Sequence, residues 1–252
     1  MFKLNKIAGS VIAVAAALGS AGVALADGYV PKGKVAYERP TNWSGFYFGV
    51  GSGYQWSNTD IGLAAVPGLT IAEVDHDSFI ATAFAGVQHQ FGVVVLGVEA
   101  GWNSTFRDEP GSTPCIVPGA LVCTQRLNDM LTVGGRLGYA AGHWMPYVTG
   151  GYATARFEQE LRTDPTDVRL LFAGTRHNGW YVGGGFEWQV SPGWTAGLEY
   201  RHYEFNDATG PIIIAGAPNA PLGLDVRNEA STDTITARVS WRWGRPEPRP
   251  LK

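Results

Sequence analysis

The chain is short of charge, nearly without cysteine and, beyond its first 26 residues, without a long apolar run. Each shortage excludes something. Asp, Glu, Lys and Arg make up 16% of the sequence, well under the roughly 25% of an ordinary soluble domain. No block of Lys or Arg occurs, which argues against nucleic acid as a partner. No apolar segment after residue 26 reaches the roughly 20 residues of a spanning helix, so the mature chain has no membrane helix. His89, His143, His177 and His202 are dispersed without ligand spacing, and neither a metal site nor a cofactor is expected. What the chain does have is 34 Gly and 9 Trp, a composition suited to strands whose outer surface avoids water.

The N-terminus reads as a targeting segment. Lys3 and Lys6 precede an uncharged apolar stretch from Ile7 to about Leu18, and Ala24-Leu25-Ala26 forms a small-residue cleavage site. The uncharged run 7–26 is also long enough for a membrane anchor, but Gly9, Gly19, Gly22 and the small-residue end oppose that. Residues 1–26 are therefore assigned to a cleaved signal peptide. Loss of Lys3 and Lys6 takes the formal net charge from −3 to −5. Export implies an oxidising compartment, so Cys115 and Cys123, eight residues apart in one predicted loop, are expected to form a disulfide; the alternative is two unpaired thiols. The chain-entropy gain is about 2.5 kcal/mol for so short a loop, so shaping the loop is the expected role.

The central observation is an alternation inverted relative to a soluble protein. Between residues 45 and 56 the even positions read Phe46, Phe48, Val50, Ser52, Tyr54, Trp56, and the odd positions are mostly glycine. Successive strand side chains point to opposite faces, so one face is aromatic and the other small or polar. Seven further segments follow: 79–91, 93–102, 129–139, 144–157, 180–190, 194–205 and 233–243. About ten residues suffice for a tilted strand to cross the hydrocarbon core. In 79–91 neither face is clearly polar, and Gln88 and Gln90 are assigned inward. Connections alternate between short ones (Gly92, 140–143, 191–193) and long ones of about 22, 26, 22 and 27 residues. Short turns on one side and long loops on the other are what outer-membrane barrels show, and an even strand count leaves both termini periplasmic. By parity Trp144, Trp188, Trp194, Trp241, Trp243 and Phe46 form an outward periplasmic belt, and Trp56, Trp102 and Trp180 an outer one. The fold class is all-β, an eight-stranded antiparallel up-and-down transmembrane barrel over residues 45–243.

The same parity sends Glu99, Glu187 and Glu199, with Arg136, Arg201, Arg238 and Arg242, into the lumen. Eight strands enclose a space that side chains just fill, and isolated buried charges cost several kcal/mol each, so the signs are expected to pair as a polar plug. A narrow ion path is the functional alternative. No catalytic residue is assigned; His76 and Ser78 make a His-x-Ser suggestive of a nucleophile and base, but turn-forming residues explain it equally well. A soluble lipocalin-like barrel would need the reverse parity. Residues 27–44 read as a flexible periplasmic leader, and 244–252, with Pro246, Pro248 and Pro250, as an extended periplasmic tail.

Several stretches carry a family resemblance: Asn42-Trp43-Ser44-Gly45-Phe46-Tyr47, Gly86-Val87-Gln88-His89-Gln90-Phe91-Gly92, Leu96-Gly97-Val98-Glu99, Gly135-Arg136-Leu137-Gly138-Tyr139, Pro146-Tyr147-Val148-Thr149-Gly150-Gly151, and the runs 179–187 and 194–203. The chain resembles the small porin-like outer-membrane β-barrel surface proteins of Gram-negative bacteria. That resemblance implies a surface-exposed, often antigenic envelope protein in the cell outer membrane. Its implied partners are outer-membrane lipid and lipopolysaccharide, the barrel-assembly machinery, and a host or extracellular ligand at the long loops. Some relatives bind haem; no motif in these loops carries that over. Two departures stand out. Trp243 is followed by nine residues where such barrels end on an aromatic, and the cysteine pair is not a family feature. Structural and surface-interaction roles without catalysis are expected, with a lipid-acting barrel enzyme as the alternative.

Overall fold

A computed structural model describes residues 41–63, 70–106, 111–114, 121–163, 169–214 and 220–243. The signal peptide, most of the leader, the tail and Cys115 lie outside them, and of Cys123 only the backbone is described. The described residues are all strand and turn: β1 (Gly45–Leu63), β2 (Thr70–Phe91), β3 (Val94–Phe106), β4 (Gly111–Pro114), β5 (Leu121–Tyr139), β6 (Trp144–Thr163), β7 (Arg169–Ser191), β8 (Trp194–Ile214) and β9 (Ala220–Trp243). Eight of them close a ring. Each pairs antiparallel with its sequence neighbours, β9 returns to β1, and β3 pairs β5. The short β4 pairs only the outer end of β5, from Gly111↔Gln125 to Pro114↔Val122. Closure leaves no exposed edge among the barrel strands, which hydrocarbon would not tolerate.

The three short connections are where they were expected. Gly92, Gly142 and Gly193 each have positive φ. At the last, Pro192 followed by Gly193 at φ 86° supplies the fixed φ and the left-handed residue of a type II turn.

Every predicted face holds. Phe46, Phe48, Val50, Leu96, Val98, Val133, Leu137, Val148, Val182, Trp188 and Leu198 are exposed on the outer wall. Tyr47, Gln88, Glu99, Arg136, Tyr147, Glu187, Glu199, Arg201 and Arg238 are buried inside. Eight of the nine tryptophans face outward, with Trp144 and Trp188 stacked at 5.4 Å between ring centroids.

Strand length departs from the expectation. Four connections were read as loops of 22 to 27 residues, but strand pairing continues deep into them. The β1–β2 ladder reaches Gly62↔Thr70, and the β6–β7 ladder reaches Arg162↔Arg169. The extended hairpins were missed because the alternation changes polarity there. Along β6, Val148 outside and Thr149 inside give way to Arg156 outside and Phe157 inside. Outside the bilayer the wall meets water, so the apolar side turns inward as in a soluble protein. Met130, Ala153, Ala155, Phe157, Tyr181, Tyr203, Phe205 and Ala230 form the resulting core in the outer part of the barrel.

A second correction concerns the leader. Its last residues are not loose: Trp43 is 0% exposed, packed with Val95, Met145 and Tyr147 inside the turn-side mouth. Gln88 donates to the Trp43 carbonyl at 2.7 Å, the Trp43 amide donates to Gln90, and its indole donates to the Gly142 carbonyl. A lone Trp before the first strand gives no periodic signal, which is why its role is invisible in sequence.

Candidate functional site

The lumen at the membrane level is one connected lattice of charge. Glu99 on β3 is its centre. Its Oε1 lies 2.6 Å from Arg201 Nη2, and its Oε2 lies 2.6 Å from Arg238 Nη2 and 3.5 Å from Arg136 Nη1. Arg136 reaches Glu187 at 2.8 Å. Glu199 takes Arg201 Nε at 2.8 Å and pairs with Arg238 Nη1. Three carboxylates thus face three guanidiniums, and all six side chains are at most 8% exposed.

Phenols complete the lattice. Tyr47 donates to Glu99 at 2.9 Å, and Tyr147 donates to Glu199 at 2.9 Å. Arg136 lies over the Tyr147 ring at 4.0 Å, Arg238 over Phe84 at 3.7 Å and Arg201 over Tyr181 at 4.8 Å. Each of the eight barrel strands supplies a member: Tyr47, Phe84, Glu99, Arg136, Tyr147, Glu187, Glu199 with Arg201, and Arg238. Period two alone puts each one inside. Register then makes them meet, since Gly97↔Arg136 and Gly197↔Arg238 set the heights of neighbouring strands.

The glycine face now has a purpose. A Cβ on Gly86 would lie 2.4 Å from the Tyr47 hydroxyl, and one on Gly185 would lie 2.9 Å from the Tyr147 hydroxyl. The phenols lie across backbone that only glycine leaves bare. The inward glycines are the signal in sequence that large inward side chains must lie somewhere along the wall.

Arg242, expected within the lattice, stands apart at the mouth. Its guanidinium covers the Trp43 ring at 4.5 Å and donates to the Asn42 carbonyl at 3.1 Å. Separating it leaves the central six charges balanced, and burial disfavours any net charge there.

The remaining candidates are scattered. Ser78 is 4% exposed and faces inward, its hydroxyl donating to the Phe79 carbonyl at 3.2 Å; of His76 only the backbone is described. His143 meets Thr41, His89 packs its ring on Phe91, and His202 accompanies Asp233 on the outer wall. His177 is buried in the outer core between Thr175, Phe157 and the Asn206 carbonyl. The proposed Cys115–Cys123 bond lies outside the described residues.

Such a lumen has the wrong polarity for a soluble apolar-ligand barrel, and the wall has the right polarity for lipid. Among solved structures the chain is similar in fold to the outer membrane protease OmpT from Escherichia coli, with 14% identity and a TM-score of 0.44 over 82% of this chain and 99% of that one. It is similar also to OprG from Pseudomonas aeruginosa, with 11% identity and a TM-score of 0.46 over 79% and 97%. Neisserial surface protein A matches at 11% identity and a TM-score of 0.38 over 79% and 98%. No curated protein sequence matches. The model of the outer membrane protein β-barrel domain matches residues 12–242. With that match, the closed eight-stranded ring and the lipid-facing wall, the chain belongs to the outer-membrane β-barrel family and resides in the outer membrane.

Proposed function

We propose that this barrel is a structural, surface-exposed component of the outer membrane with a plugged lumen and no catalytic activity. The observation that carries the reading is the lattice itself: six buried charges, contributed by five strands and cross-linked through Glu99 and Glu199. Multiply paired ions hold fixed positions, whereas a conduction path needs sites that bind weakly enough to release. The hairpins that rise beyond the outer tryptophans present the surface on which lipopolysaccharide or an extracellular ligand would be met.

Planar-bilayer recording of the purified barrel tests the plug. The expected trace is free of steady unit currents, and large stable ones would overturn it. The non-catalytic half is tested by S78A in cells. Lipid A and phospholipid profiles should match those of the parent protein and of a deletion strain; a lipid product lost in both mutants would establish an enzyme.

A further inference from the structure

Seven of the eight seams in the ring join consecutive barrel strands, so the chain itself holds them together. The eighth joins the two ends of the barrel, β1 and β9, with Phe46 opposite Trp243. No hairpin draws those two strands together, and closing the seam carries the entropy of the whole intervening chain. It is the place where the ring unzips.

Residues 41–44 lie across this seam at the turn-side mouth. From β9, Arg242 reaches past Gly45 to the segment in front of β1. Its guanidinium covers the Trp43 ring at 4.5 Å and donates to the Asn42 carbonyl at 3.1 Å. Gly45 leaves the way clear, since a Cβ there would meet the Trp243 carbonyl and lie 3.3 Å from the Arg242 side chain. On the other side of the seam, β2 holds the same segment. Gln88 donates to the Trp43 carbonyl, Gln90 accepts from the Trp43 amide, and the Gln90 amide donates to Ser44 Oγ at 2.9 Å. The indole then crosses to the far wall, where it packs on Val95, Met145 and Tyr147 and donates to the Gly142 carbonyl at 3.2 Å.

Such a seat exists only in a closed ring. From β1 to β6 is four steps, through β2, β3 and β5, or about 19 Å in an opened sheet at about 4.8 Å per step. One indole does not span that distance. Curvature brings Met145 and Gly142 to Trp43, and Arg242, 200 residues from Asn42, arrives only when β9 has paired with β1. We propose that Trp43 is a latch for the β1–β9 seam, seating after the ring has closed and leaving before the seam can unzip. Contacts made after the folding transition state slow unfolding and hardly change the folding rate. The latch is therefore a kinetic lock, and it stands on the closed ring rather than on the plugged lumen.

The test uses the full mature barrel in lipid vesicles. Unfolding in urea and refolding on dilution are both timed by heat-modifiable gel mobility. W43A should unfold at least tenfold faster than the parent and refold within threefold of its rate. R242M should also unfold faster than the parent and add nothing to W43A, because both remove the same latch. The seam is then bridged independently. Ser52 and Ala237 are directly opposite and exposed on the outer wall, so S52C/A237C in a C115S/C123S background is closed with a short thiol cross-linker. With the bridge in place, W43A should unfold within twofold of its cross-linked parent, since the seam no longer needs the latch. An acceleration below tenfold without the bridge, one above twofold that survives it, or a matching slowing of refolding would reduce Trp43 to ordinary packing and overturn the proposal. If W43A does not fold, W43F keeps a ring but loses the indole donor, and is read on the same two barrels with threefold in place of tenfold. Unit currents through the parent barrel would remove the plug and leave the latch standing.

Discussion

The membrane-level and outer parts of this barrel share strands, parity and closure, yet obey opposite packing rules. On β8, Leu198 faces lipid while Glu199 faces the lumen; six residues on, Glu204 faces water while Phe205 is buried. One part hides charge and displays hydrocarbon, and the other does the reverse. The pleat is the same in both. What changes is the medium outside the wall, and the position of the reversal marks the outer edge of the bilayer more sharply than the tryptophans do.

The comparison can be broken most severely from within. E99A removes the acceptor shared by three arginines, and breaking a buried ion pair on one side costs about 3–5 kcal/mol. F157A leaves a cavity of similar cost, about 3–5 kcal/mol, in the outer core. The two losses should differ in location. Urea unfolding in lipid vesicles should register E99A as a fall in stability of the whole barrel. F157A should chiefly speed hydrogen exchange and proteolysis of the outer hairpins.

Charge on the outer wall gives the next largest contrast. L198R places an arginine toward lipid and should cost about 2–4 kcal/mol if that position is near the midplane. E204R, on the same face of the same strand, should cost no more than about 1 kcal/mol, because that position, opposite Trp180, is at the headgroup interface and not in hydrocarbon. Equal costs in vesicle unfolding would place both residues in one medium and remove the proposed boundary.

The smallest effect is a pH dependence confined to the outer part. Burial pushes His177 below its ordinary value of 6.5, against the opposing influence of the Asn206 carbonyl it contacts and the Asp207 charge. The folded form therefore resists protonation that the opened form accepts. Stability of the outer core should be complete above pH 6.5 and decline as the pH falls below it, until the lowered folded value is reached. The loss is bounded by about 1.4 kcal/mol for each unit of displacement. Exchange of the amides flanking His177 at pH 7.5 and 5.5 should show it, and H177Q should abolish it.

Legibility in the sequence followed the same boundary. Segments 45–56, 129–139 and 194–205 carry the inverted alternation clearly, because lipid imposes an apolar residue at nearly every outward position. The lumenal lattice was legible as a set: Glu99, Arg136, Glu187, Glu199, Arg201 and Arg238 all lie where parity sends them. The outer hairpins were not, since strands exposed to water have no single polarity to follow. Trp43 was missed for a different reason: its burial depends on Gln88, Gly142 and Arg242, which lie 45, 99 and about 200 residues away in the chain.

Period two is a local property, so the sequence by itself determined which way each membrane-level side chain points, and hence that the outside solvent is lipid. Which of those side chains touch was decided by register, and register is a long-range pairing between strands that no single segment encodes. Only the closed barrel could hang three arginines on Glu99, set Arg242 over Trp43 at the mouth, and oppose Arg156 to Arg176 on the outer wall.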